Sequence, residues 1–81
     1  MKKLKEKQNK IVIYTRKGCM FCAQIIDLFN RNNIKYVNFC LDKDFTRQKF
    51  QEMFGKNATF PRVIINDNLI GGYDDTVKLL S

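Results

Sequence analysis

The order of residues in one short segment constrains the fold more than anything else in the chain. Ile11-Val12-Ile13-Tyr14 is an apolar, β-branched run of strand type. A basic loop, Arg16-Lys17-Gly18, follows it, and then come Cys19 and Cys22 in a Cys-x-x-Cys spacing. A helical pattern begins at once, with Cys22, Ile25, Ile26 and Phe29 at i, i+3, i+4 and i+7. A strand that runs through a tight loop into a helix puts Cys19 at the helix start. There, unpaired backbone N–H groups and the positive end of the helix dipole face its sulfur. That environment favours thiolate over thiol, and the thiolate is the nucleophile. The segment reads as a dithiol–disulfide redox site.

The rest of the chain supplies a frame for it. The first helix covers 22–32 and ends near Asn32-Asn33, because asparagine tolerates the left-handed C-cap conformation. A second strand covers 35–40, and the helix between the strands makes a right-handed parallel crossover the expected connection. Asp42-Lys43-Asp44 is a turn, with Asp44 the expected N-cap of a second helix over 45–54. Phe50, Met53 and Phe54 form its core-facing side, and Gly55 stops it. Val63-Ile64-Ile65 is a strand, Asn66-Asp67-Asn68 a tight turn and Leu69-Ile70 a return strand. Gly71-Gly72 breaks the chain before a last short helix opened by Asp74 and Asp75, with Val77 and Leu80 facing inward. This βαβ–α–ββ–α order predicts an α/β fold, one mixed sheet with helices packed on it. The continuous apolar character of 11–15 predicts burial of that strand on both faces.

Size and charge narrow the class. Eighty-one residues make one small domain with a modest core. The apolar runs are far too short to span a bilayer. The charged start lacks the apolar stretch of a secretory signal, so the expected location is the cytoplasm. Three cysteines, an odd number, argue against a secreted disulfide scaffold. Cys40 is expected to be a small buried apolar residue. Of the net charge of +7, five lysines against Glu6 place +4 in the first ten residues. Residues 1–9 are therefore expected to form a flexible basic arm, and 10–81 the folded domain. No aromatic residue lies among those lysines, so no nucleic-acid partner is expected. The chain has no histidine and one Cys-x-x-Cys, so no metal is expected, and no membrane partner either.

Four features in order over about residues 11–80 resemble a glutaredoxin of the dithiol type, in the thioredoxin-fold superfamily. They are the strand-loop Cys19-Met20-Phe21-Cys22, the segment Thr59-Phe60-Pro61 before a strand, the pair Gly71-Gly72, and Asp75 after it. The resemblance implies a thioredoxin-like fold, a four-stranded mixed sheet flanked by three helices, with the third strand antiparallel to the first. It implies a cis bond before Pro61 that lies against the active sulfur. It makes Cys19 the nucleophile and Cys22 the resolving thiol in a thiol–disulfide oxidoreductase, with glutathione as co-substrate. Arg16, Lys17, Arg47 and Gln48 become candidates for the glycyl carboxylate. Phe21, Thr59, Phe60 and Pro61 become further glutathione-binding candidates, the backbone of Phe60 pairing with the bound peptide. Gly71, Gly72, Asp74 and Asp75 become candidates for its γ-glutamyl end. Partners implied are disulfide-containing proteins, a ribonucleotide reductase among them, and the protein is expected to act as a monomer.

The chain departs from the commonest pattern at Met20-Phe21, where a Pro-Tyr pair is usual, and at Tyr73, where a small residue is common. Two alternatives stay open at this point. One is a thioredoxin-like donor recycled by a flavoprotein reductase. The other is an iron–sulfur cluster shared between two monomers with glutathione as co-ligand.

Overall fold

The computed structural model describes residues 9–80. Four strands form one sheet in the order β2-β1-β3-β4. They are β1 (Ile11–Thr15), β2 (Val37–Cys40), β3 (Arg62–Ile65) and β4 (Asn68–Gly71). Three helices complete the chain: α1 (Met20–Arg31), α2 (Arg47–Phe54) and α3 (Tyr73–Leu80). β1 pairs parallel with β2, Val12 opposite Val37, and antiparallel with β3, Ile13 opposite Val63. β3 and β4 form the expected hairpin. Its turn is Asn66-Asp67, both at positive φ (53° and 68°), as a two-residue turn of this twist requires. β4 begins at Asn68, one residue earlier than the sequence pattern suggests.

Pleat alternation divides the core between the two faces of β1. Ile11, Ile13, Val63 and Ile65 point to the face covered by α1, where Ile25 and Phe29 are fully buried. Tyr73, Leu79 and Leu80 of α3 pack against the same cluster. Burying a ring the size of Phe29 contributes about 1.5–3 kcal/mol. On the other face, Tyr14 meets Phe39, Phe45, Phe50 and Phe54 at ring-centroid distances of 5.2–6.4 Å. β1 is thus covered on both faces, by the aliphatic cluster on one and by buried Phe50 with the half-buried rings around it on the other.

Several local expectations are corrected. α1 starts at Met20 rather than 22, because the Cys19 sulfur itself caps it. β2 starts at Val37 rather than 35; Tyr36 instead packs its ring on Phe29 and donates its hydroxyl to Asn30 Oδ1 at 3.1 Å. α2 starts at Arg47, and its N-cap is Thr46, whose hydroxyl accepts the Lys49 N–H at 3.1 Å. Asp44 does not cap it: its carboxylate accepts the Cys40 N–H at 2.9 Å and closes the preceding turn.

Met53 is 46% exposed, not core, because this two-turn helix buries only the line through Phe50 and Phe54. Thr76, not Val77, is the fully buried residue of α3, and its hydroxyl is satisfied by donation to the Gly72 carbonyl at 2.8 Å. Cys40 is half-buried rather than core. Residues 1–8 of the arm expected over 1–9 lie outside the described residues. Asn9 already belongs to the folded part, since its side-chain oxygen accepts from Asn66 Nδ2 at 2.8 Å.

Candidate active site

Cys19 stands where β1 has ended and α1 begins. Gly18 before it sits at φ 72°, which turns the chain upward into the helix. Cys19 itself is extended (φ −98°, ψ 113°), the geometry of an N-cap. Its sulfur does what a serine or aspartate oxygen does at most helix starts: it accepts the Cys22 N–H, at 3.2 Å. That donor, and the aligned peptide dipoles behind it, point at Sγ. Thr15 at the end of β1 is buried and donates to Asn38 Oδ1 at 2.7 Å, which ties the start of the loop to β2.

The second thiol is of the opposite kind. Cys22 lies one turn into α1 and is 3% exposed. Burial and a hydrogen bond with the Cys19 side chain push its pKa up to about 12. One sulfur is accessible and held by an N–H donor, and the other is buried and keeps its proton. Both are free thiols here.

The Phe60–Pro61 bond is cis, as the resemblance implied. The Phe60 carbonyl faces Cys19, accepting from its thiol at 4.0 Å. Pro61 is fully buried, and Arg62 fastens the segment by donating Nε–H to the Thr59 carbonyl at 2.9 Å and a terminal N–H to Thr59 Oγ1 at 3.3 Å.

Cys19 lines a hollow of about 490 Å³ with Arg16, Met20 and Cys22, and two further hollows lie among the residues of its basic loop and of the Phe60 segment. One, of about 410 Å³, is lined by Arg16, Lys17, Leu41, Asp42, Lys43 and Arg47. The other, of about 260 Å³, lies between Phe21 and the Thr59–Arg62 segment on one side and the start of α3, Gly72 to Asp75, on the other. Phe21, 53% exposed, and Tyr73 face each other across it with ring centroids 5.8 Å apart. Gly71 is held at φ 126°, and any Cβ there would run into the Asp75 carboxylate. That carboxylate accepts the Gly72 N–H at 3.1 Å, so Asp75 caps α3.

The glutaredoxin family profile matches residues 11–70, which includes both cysteines and Pro61. The chain belongs to the glutaredoxin family. A probable glutaredoxin of Synechocystis is 32% identical over 71 residues, covering 86% of this chain and 81% of that one. The mitochondrial glutaredoxin-2 of Bos taurus is 32% identical over 74 residues, covering 88% of this chain but 47% of its own length. Among solved structures, glutaredoxin 1 from Francisella tularensis superposes with a TM-score of 0.68 at 30% identity, over 89% of this chain and 96% of that one. A buckwheat glutaredoxin–glutathione complex superposes with a TM-score of 0.72 at 24% identity, over 86% and 66%, a likeness of fold. The fold is therefore thioredoxin-like, and the chain is a thiol–disulfide oxidoreductase.

In this glutaredoxin the structure gathers most of the residues read from sequence. Arg16, Lys17 and Arg47 share the cationic hollow, and Phe21, Thr59, Phe60, Pro61, Gly72, Asp74 and Asp75 share the other. Gly71 lies behind the second, at the end of β4. Gln48 joins neither, since its side-chain amide pairs with Glu52 at 3.3 Å on the exposed side of α2. Sequence reasoning missed Arg62 and Lys43. Arg62 was open to inference from its place beside Pro61, whereas Lys43 sits in a turn and carried no signal of its own.

Proposed function

We propose that this glutaredoxin takes its electrons from glutathione and reduces glutathione mixed disulfides and disulfides of proteins. The carrying observation is that Cys19 faces the Phe60 carbonyl, that Arg16 and Lys17 of its loop line a cationic hollow, and that Phe60 lines a second hollow at a helix start bearing two carboxylates. Glutathione has a carboxylate at one end and an α-amino acid at the other. In this reading its glycyl carboxylate meets Arg16, Lys17 and Arg47. Its cysteinyl backbone pairs with Phe60, its γ-glutamyl carboxylate meets the first N–H groups of α3, and its amine meets Asp74 or Asp75.

The chemistry is a pair of exchanges. The Cys19 thiolate attacks the glutathione sulfur of a mixed disulfide, forming a Cys19–glutathione disulfide and releasing the other thiolate. A second glutathione thiolate then attacks, giving oxidised glutathione and restoring Cys19. With a protein disulfide, the Cys22 thiol resolves the intermediate. The Cys22 sulfur bonds to the Cys19 sulfur, the bond to the substrate breaks, and the Cys22 proton passes to the departing thiolate. The raised pKa of Cys22 fits this role, since it stays protonated and unreactive until a disulfide forms beside it.

The test is reduction of a cysteine–glutathione mixed disulfide by glutathione, followed through glutathione reductase. Turnover is expected in the wild type and in Cys22→Ser, and none in Cys19→Ser. Turnover by Cys19→Ser, or recycling by a thioredoxin reductase with none by glutathione, overturns the reading.

A further inference from the structure

Phe60 does two things at once. Its carbonyl faces the Cys19 sulfur, and its N–H has no hydrogen-bond partner among the described residues. Its ring meanwhile lies nearly flat on Phe50, with centroids 4.1 Å apart and planes at 16°. Phe45 lies near-parallel to Phe60 at a centroid distance of 6.1 Å. Phe60 belongs to no helix or strand, since β3 begins only at Arg62. No ladder of backbone hydrogen bonds therefore holds Phe60 itself: Arg62 fastens its neighbour Thr59 and Pro61 is buried, while the contact of Phe60's own side chain is the stack on Phe50. Phe50 is the buried residue of α2, 2% exposed. Arg47, of the cationic hollow, lies three residues earlier on the same helix. One buried ring thus supports a backbone group at the sulfur and the helix that carries a cation of the hollow.

We propose that Phe50 is a positioning residue: through the Phe60 ring it holds the free N–H and C=O of Phe60 in register for pairing with the substrate's cysteinyl group. It governs how well the disulfide is bound, and it does not govern how reactive Cys19 is. The sulfur's own environment is local to α1, where the Cys22 N–H donates to it. This inference rests on the reading that glutathione lies along Phe60.

Phe50→Leu keeps the apolar volume but removes the flat face, and Phe60→Val removes the stacked ring from the other side. Each is expected to raise KM for a cysteine–glutathione mixed disulfide about 2- to 10-fold, the worth of one aromatic pair. Phe50→Leu should leave kcat within twofold of wild type, and both variants should leave the rate of Cys19 alkylation by iodoacetamide within twofold. The double variant should be no worse than the worse single, because both break one contact. Phe50→Tyr, which keeps a flat ring, should restore the wild-type KM.

Because Phe60 is only half-buried, Phe60→Val carries the test even where Phe50→Leu fails to fold. Unchanged KM in Phe60→Val, KM effects that multiply in the double variant, or an alkylation rate that falls together with binding would each overturn the proposal. An active wild type with unmoved variants refutes the positioning role alone. A wild type that does not turn over with glutathione refutes both this role and the reading beneath it.

Discussion

The contrast between the two thiols yields a number. Cys22 is 3% exposed, and its pKa is pushed up to about 12, burial being the largest cause. At pH 7 such a thiol is thiolate for about one part in 100,000, against roughly 3% for an ordinary cysteine near 8.5. That is a deficit of about 3,000-fold in the attacking species. A more basic thiolate is a better nucleophile, and a Brønsted slope of ~0.4–0.5 returns about 30-fold over this difference. Cys22 should therefore react about 100-fold more slowly than glutathione, before any steric cost of its burial is counted.

The perturbation is Cys19→Ser with Cys40→Ser, which leaves Cys22 as the one thiol of the 81-residue chain. Because burial outlasts the loss of the Cys19 sulfur, the protection should persist. The assay follows release of thiopyridone from dithiodipyridine against pH, with glutathione as the reference. Cys19 adds smaller contributions to the raised pKa that this variant loses, so the expected rate at pH 7 is between ~10- and ~100-fold below glutathione and still rising at pH 10. A rate within tenfold of glutathione, or a plateau below pH ~10, would refute the argument that burial separates the roles of the two cysteines.

Three shorter expectations follow from the same structure. Folded Cys22 holds its proton to about pH 12, whereas the unfolded chain releases it near the ordinary 9.0, so the folded state binds more protons in between. Stability should therefore fall as pH rises from about 9 to about 12, and urea titrations of Cys22→Ala should show a shallower fall than wild type. Gly71→Ala places a Cβ against the Asp75 carboxylate at a φ of 126°, and should lower unfolding free energy by at least ~1–3 kcal/mol in urea. Thr46→Ala removes the cap on the Lys49 N–H and should cost about 1 kcal/mol of stability, whereas a capping role for Asp44 would require Asp44→Ala to raise the α2 amide exchange rates instead.

The places where sequence and structure disagree each have a specific contact behind them. Met53 has the right spacing for a core residue, yet α2 is two turns long and presents one line of rings to Tyr14, which leaves Met53 on its flank. Asp44 is as good an N-cap as Thr46 by composition, but the Cys40 N–H reaches it first. Thr76 is polar, and it is buried because its hydroxyl closes on the Gly72 carbonyl. A neighbour from another part of the chain, Tyr14, decided the Met53 case, whereas Asp44 and Thr76 were decided by partners four residues away.

The sequence by itself determined that β1 runs through a basic loop into a Cys-x-x-Cys helix, that a crossover and a hairpin surround it, and that one thiol caps the helix while the other joins its apolar face. Those features follow from residues a few positions apart, whose geometry the backbone dictates. Only the tertiary structure decided that Phe60 presents its carbonyl to Cys19, that Phe50 lies flat beneath Phe60, and that Arg47 joins Arg16 across a hollow. Those pairings join residues far apart in the chain, and they exist only once the antiparallel β3 and the aromatic face of the sheet have closed around β1.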